Sequence, residues 1–184
     1  MMIWHFWSHM YCFLFFIFII SLNVKNSFRR FLIETFVLQD CMIISSDDST
    51  FINYLKSSNN VSITQDGEYV ALTTNTSSNG NYCGLYWSNS STTVYGYTLN
   101  DFLGETFKVD MEITDLSTSY WKCNVYAYID GGFTAIASSS ISDGDNSIEF
   151  TVPNDADRLW IRLQTSNRSA EYTCKTRNWR IYPL

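Results

Sequence analysis

The side chains with the most chemistry to offer stand at alternate positions in two segments. From Trp121 to Ile129, the residues Lys122, Asn124, Tyr126 and Tyr128 interleave with Trp121, Cys123, Val125, Ala127 and Ile129. From Arg158 to Gln164, Trp160, Arg162 and Gln164 interleave with Leu159, Ile161 and Leu163. Successive strand residues point to opposite faces, so each segment has one apolar face and one face of aromatics and hydrogen-bonding groups. Flat rings stack on the C–H surfaces of pyranoses, and planar amides and guanidinium groups pair with hydroxyls. Asn124, Tyr126, Tyr128, Trp160, Arg162 and Gln164 are therefore candidate glycan contacts, and Asn178 and Arg180 are candidates to lie beside them. Tyr86, Trp87, Tyr95 and Tyr97, which flank an Asn/Ser/Thr-rich stretch, make a second candidate surface. Tyr and Trp also favour strands for packing alone, so the same face would suit a protein interface.

Other chemistries are constrained by what the chain lacks. Its two histidines, His5 and His9, both lie in an apolar N-terminal stretch. Residues beyond that stretch have no imidazole to activate a serine or cysteine nucleophile, or to bind a metal. Asp110 and Glu112 share a strand face with Cα atoms about 6.6 Å apart, within reach of both sides of a glycosidic bond. Carboxylates on a solvated strand are commonplace, however, and no catalytic residue is assigned. Asp143-Gly144-Asp145-Asn146 has oxygen ligands for calcium but lacks the rest of a calcium loop, which favours a hairpin turn. Cys83, Cys123 and Cys174 are spaced unlike a zinc site and allow at most one disulfide among themselves. No cofactor is expected. No basic cluster is present to neutralise phosphates, so nucleic acid is not an expected partner.

The elements that must position these residues are strands. The chain has 184 residues, 17% of them aromatic and 16% charged, with a formal charge of −6. From Ser45 onward, candidate strands fall at 61–64, 68–74, 82–87, 94–98, 105–114, 120–130, 133–139, 147–152, 158–165 and 171–182. Asp66-Gly67, Asn79-Gly80, Asp130-Gly131-Gly132 and Pro153-Asn154 supply turns between them. Phe107, Val109, Met111 and Ile113 alternate with Lys108, Asp110 and Glu112. One polar face per strand excludes a parallel sheet buried on both sides. Many short alternating strands imply an antiparallel sandwich or barrel.

Residues 1–46 read differently. Residues 1–24 contain no Asp, Glu, Lys or Arg, and about 20 apolar residues suffice to span a bilayer. Trp4 and Trp7 sit where interfacial aromatics belong. A cleaved signal would carry an early positive charge and a small-residue cleavage site, yet the first positive charge is Lys25. Three readings compete: a membrane anchor; a translation start placed upstream of the true one, with Met42 opening the domain; and a buried core helix, which would need protein on all sides. The first expects a membrane-anchored or cell-surface protein. The second permits a cytoplasmic one.

Several segments resemble a galactose-binding-like jelly roll, as found in carbohydrate-binding modules. They are Phe107–Ile113, Asn124–Gly131, Ile148–Ala156 running into Leu159–Leu163, and the closing Asn178–Leu184. The resemblance covers roughly residues 50–184 and implies an antiparallel β-sandwich. Such modules often hold a structural calcium through acidic residues near both domain ends; here the last strand has Asn178 and no acid after Glu171. The expectation is thus an all-β jelly-roll sandwich at 47–184, preceded by a hydrophobic N-terminal helix within 1–46. Its expected role is a non-catalytic carbohydrate-binding or adhesion-type surface module, with glycan or cell-surface polysaccharide as partner. Residues 1–24 are its candidate membrane contact. The alternative is a structural appendage, a virion-surface domain or a protein–protein interaction domain using the same sheet face.

Overall fold

The computed structural model describes residues 50–75, 80–88, 92–165 and 170–184, which belong to the compact unit Met42–Leu184. The apolar N-terminal segment, including the expected helix, lies outside the described residues. Among the described residues no helix is long and apolar enough to cross a membrane.

Ten strands form two five-stranded antiparallel sheets. The front sheet contains β1 (Leu55–Ser57), β4 (Asn81–Ser88), β6 (Trp121–Ile129), β7 (Gly132–Ser140) and β9 (Arg158–Thr165), in spatial order β1-β4-β9-β6-β7. The back sheet contains β2 (Val61–Asp66), β3 (Tyr69–Thr74), β5 (Thr106–Thr114), β8 (Gly144–Thr151) and β10 (Thr173–Pro183), in order β2-β3-β10-β5-β8. One helical turn, Phe51–Tyr54, precedes β1. The all-β antiparallel sandwich is as the alternation implies. The expected strand at 94–98 is instead a tight turn, in which Val94 bridges Tyr97 and Tyr95 takes a φ of 52°.

The core lies between the sheets. Leu85 and Trp87 of β4, Leu159, Ile161 and Leu163 of β9, and Trp121, Val125 and Ala127 of β6 enter it from the front. Leu72, Val109, Met111, Ile113, Trp179 and Ile181 meet them from the back. Each fully buried large aliphatic or aromatic side chain contributes about 1.5–3 kcal/mol relative to exposure, so the alternation is strongly enforced. Cys83, Cys123 and Cys174 are free and buried in this core; burial pushes the Cys83 and Cys123 thiols up to about 12. They act as small apolar residues.

In β10 the alternation is reset. Arg177 pairs with Glu112 and Arg180 with Asp110, so β10 carries one extra residue there. Asn178 absorbs it with a φ of 55°. Uninterrupted alternation would point Trp179 outward with Lys175 and Arg177. The bulge turns it inward instead, where its Nε1 donates to Thr176 Oγ1 at 2.6 Å.

The outer side of the back sheet is a lattice of paired charges. Arg177 donates to both oxygens of Glu112, at 2.8 and 3.0 Å, and lies over the Tyr69 ring at 4.4 Å. Tyr69 and Asn178 also donate to Glu112, at 3.1 and 3.0 Å. Lys175 bridges Asp66 and Asp115, and Tyr182 donates to Asp110 at 2.6 Å. The hydrogen bonds from Arg177 hold the Glu112 carboxyl below its usual range, against a smaller opposing effect of desolvation. For Asp110 burial works upward, but donation from Tyr182 and Ser147 and the Lys108 charge leave it lowered.

Two outcomes follow. Valine at a positive φ is strained where glycine and asparagine are not. Asn178→Val should therefore lower unfolding stability by about 1–3 kcal/mol, and Asn178→Gly by distinctly less, in denaturant titrations. Equal losses would mean the backbone conformation is not the cause. Because the folded Glu112 pKa is depressed, its contribution is present above the unfolded carboxylate pKa of roughly 4.3 and is lost as pH falls through the folded value. Melting temperature followed from pH 6 to pH 2 should fall less steeply in Glu112→Gln than in the parent; parallel curves would exclude Glu112 as an acid-sensitive tie.

Candidate functional site

The outward face of the front sheet is built in rows by strand register. Tyr86, Trp160, Tyr126 and Ala135 stand side by side on β4, β9, β6 and β7. Next along the strands come Lys56, Gly84, Arg162, Asn124 and Ser138, then Tyr82, Gln164, Lys122 and Ser140. On the other side lie Ser88, Arg158, Tyr128 and Phe133. The sequence-derived candidates Asn124, Tyr126, Tyr128, Trp160, Arg162 and Gln164 thus share one face, and Tyr126 is directly opposite Trp160.

Gly84 lets this face close up. A Cβ there would meet the Ile161 carbonyl oxygen at 2.0 Å and the Arg162 Cα at 2.5 Å, so β4 can approach β9 this closely only without a side chain. With that position bare, the rings of Tyr82 and Trp160 meet edge to face, 4.8 Å apart. Trp160 also contacts Tyr86 at 5.1 Å and Phe133 at 5.9 Å, which makes it the half-buried hub of the cluster. Phe133 reaches the cluster because Asp130 and Gly131, both at positive φ, close a two-residue hairpin that sets it opposite Tyr128. Tyr128 and Phe133 meet edge to face at 5.0 Å, and Phe133 is 43% exposed.

The guanidinium groups lie on these rings. Arg162 is 4.0 Å from the Tyr126 centroid, 4.6 Å from Tyr82 and 5.1 Å from Trp160. Arg158 lies 4.5 Å from the Tyr128 centroid. Stacking of this kind orients an arginine without using up its N–H donors. The buried Nε of Arg162 has no hydrogen-bond partner among the described residues. Asn124 plays a supporting part: it is only 7% exposed, accepts from Ser138 Oγ at 2.6 Å and donates to Gln164 Oε1 at 3.3 Å. It positions Gln164 while remaining largely out of reach itself.

Other expected contacts fall elsewhere. The second candidate surface does not exist as a unit. Tyr86 joins the front face, whereas strand alternation sends Trp87 inward, fully buried against Phe102 at 4.9 Å. Tyr95 packs on Tyr54 at 4.4 Å, and Tyr97 belongs to the same tight turn. Asn178 and Arg180 lie on the back sheet with β10, not beside Trp160. There, with Asp110, Glu112, Asn146 and Ser147, they line an open recess of about 340 Å³. Three strand carboxyls line it, Asp110, Glu112 and Asp145, of which Asp110 and Glu112 are held toward the ionised form. The expected hairpin turn at 143–146 is instead the start of β8, entered by a crossover from the front sheet, with Asn146 bonding Ser142 and Gly144, and Asp143 accepting from Leu116 N–H. Among the described residues no group of three or more His, Cys, Asp or Glu is placed to hold a metal.

Tyr82, Phe133, Arg158 and Lys56 complete the front face beyond the sequence-derived set. Tyr82 carried a readable signal, since Tyr82, Gly84 and Tyr86 alternate within one strand. Phe133 carried another, being the first large side chain after an Asp-Gly turn.

No family model matches the chain, and no curated protein matches it. Among solved structures it is similar to a mutant of a carbohydrate binding module of family 29, at 12% identity over 76% of this chain and 88% of that one, with a TM-score of 0.48. A structure described as "CBM4 structure and function" is similar at 11% identity over 72% of this chain and 96% of that one, TM-score 0.48. The enzymatically active domain of bacteriophage CBA120 tailspike protein 4 is similar at 13% identity over 78% of this chain but 22% of that one, TM-score 0.47.

Proposed function

We propose that this chain is a non-catalytic glycan-binding module that takes its ligand on the outward face of the front sheet. One observation carries the reading: Tyr126 and Trp160 stand directly opposite on β6 and β9, with Arg162 and Gln164 next along the same face. Aromatic rings offer sugar C–H faces a desolvated surface, while guanidinium and amide donors set orientation through the hydroxyls. The exposed ring of Phe133 extends that surface beyond a single sugar ring, so an oligosaccharide suits it better than a monosaccharide. A polysaccharide at a cell surface is the natural source of such a ligand.

The test is retention of the full chain on immobilised polysaccharides and a glycan array, followed by titration of whichever ligands are retained. Recognition surfaces concentrate energy in a few aromatic and arginine side chains. Tyr126→Ala and Arg162→Ala should each weaken binding about tenfold or more, whereas Arg180→Ala on the back sheet should leave it unchanged. Thermal melts of each variant separate lost contacts from lost fold. If no glycan is retained and the chain self-associates through Tyr126 and Phe133, the face is a protein interface and the proposal fails.

A further inference from the structure

We infer that the glycan is anionic, an oligosaccharide bearing carboxylate or sulfate groups; the inference rests on the glycan-binding reading of the front face. At outward strand positions that face carries Lys56, Lys122, Arg158 and Arg162, and not one carboxylate. The nearest acids, Asp130 and Asp157, lie at the strand ends. This runs against a chain whose formal charge is −6.

The two sheets treat their cations differently. On the back sheet, Lys108, Lys175 and Arg177 each pair with a carboxylate, and of the cations there Arg180 alone makes no side-chain ion pair among the described residues. On the front face none of Lys56, Lys122, Arg158 and Arg162 makes a side-chain ion pair among the described residues. Their only polar engagement there is the stacking of the two arginines on Tyr126, Tyr128, Tyr82 and Trp160. An arginine fixed by its flat face keeps its N–H edge for a partner, and that fork matches carboxylate and sulfate oxygens. A neutral sugar would use these donors only through hydroxyls and leave the positive field unmatched.

Spacing sets the size of the ligand. Arg158 and Arg162 lie four residues apart on β9, about 13 Å at the strand rise, and the row holding Lys122 lies about 7 Å further. One sugar cannot reach all three rows, so the charges suit anionic groups repeated along a chain.

The experiment titrates the full chain with three oligosaccharide sets: uronates such as oligogalacturonate, sulfated dextran oligomers, and uncharged dextran or cello-oligosaccharides. A thymidine oligonucleotide serves as a non-glycan polyanion. At 0.05 M salt, at least one anionic set should bind ten times or more tighter than the neutral sets, with affinity falling as salt shortens the screening length. Which anionic set wins distinguishes uronate from sulfate recognition, and either result supports the inference. Arg162→Gln and Arg158→Gln should each lose about tenfold for the anionic ligand, and solvent-exposed Lys122→Gln should lose less. Each should also flatten the salt dependence, and Arg180→Gln should change neither quantity. Neutral glycans binding equally well without salt dependence would overturn this inference and leave the glycan-binding function standing. Binding of no glycan would overturn both, and the oligonucleotide binding more tightly than every glycan would assign the face to single-stranded nucleic acid.

Discussion

Everything on the front face depends on the pinning of β9 at the centre of its sheet. Leu159, Ile161 and Leu163 are each fully buried, and β9 pairs residue for residue with β4 on one side and β6 on the other. A one-residue slip would expose all three and drive Trp160 and Arg162 into the core. At about 1.5–3 kcal/mol per side chain, no surface contact offsets that loss. The outward positions of Trp160, Arg162 and Gln164 are therefore fixed by what lies beneath them. Gly84 adds a second constraint from the side, because the close approach of β4 to β9 brings Tyr82 over Trp160 and beside Arg162.

The two outer faces solve the same problem of exposed charge in opposite ways. The back sheet satisfies most of its cations internally: Arg177 is bracketed by Glu68 and Glu112, and Lys175 by Asp66 and Asp115. Surface pairs of this kind add little stability one by one, but they leave their groups with few free valences. The front sheet uses ring faces in place of carboxylates. A tyrosine under a guanidinium covers apolar surface and orients the cation without neutralising it. This makes the front sheet the face with unspent hydrogen-bonding capacity, although the more enclosed recess is on the back.

The sequence carried the strands well and the faces partly. Alternation in β5, β6 and β9 is unbroken, and there inward and outward residues were legible. Trp87 was misjudged as surface because it was read with a neighbouring loop, although the parity that sends Tyr86 outward sends Trp87 inward. Asn178 and Arg180 were set beside Trp160 because spacing along the chain does not say which sheet a strand joins. The bulge in β10 was hidden for a related reason. Asn is compatible with a positive φ without requiring it, so only the demand that Trp179 be buried reveals the extra residue. Val94 and Tyr97 look like strand residues by type, yet the intervening Tyr95-Gly96 pair, both at positive φ, folds them into a turn.

Trp160 shows how packing adds a second role to the one that residue type suggests. A tryptophan among polar neighbours reads as the obvious stacking platform, yet its ring is packed by Tyr82, Tyr86 and Phe133 and its Nε1 is buried. Its work is to hold the other rings in place. The outer layer falls to Tyr126 and Tyr128 with their arginines, and to exposed Phe133. Under the proposed function affinity and selectivity are separable: rings would supply contact area for any sugar, while the arginines they carry would select for charge. The charge pattern could not be read from the chain, because Arg158 and Arg162 are ordinary strand residues until register shows that no carboxylate faces them.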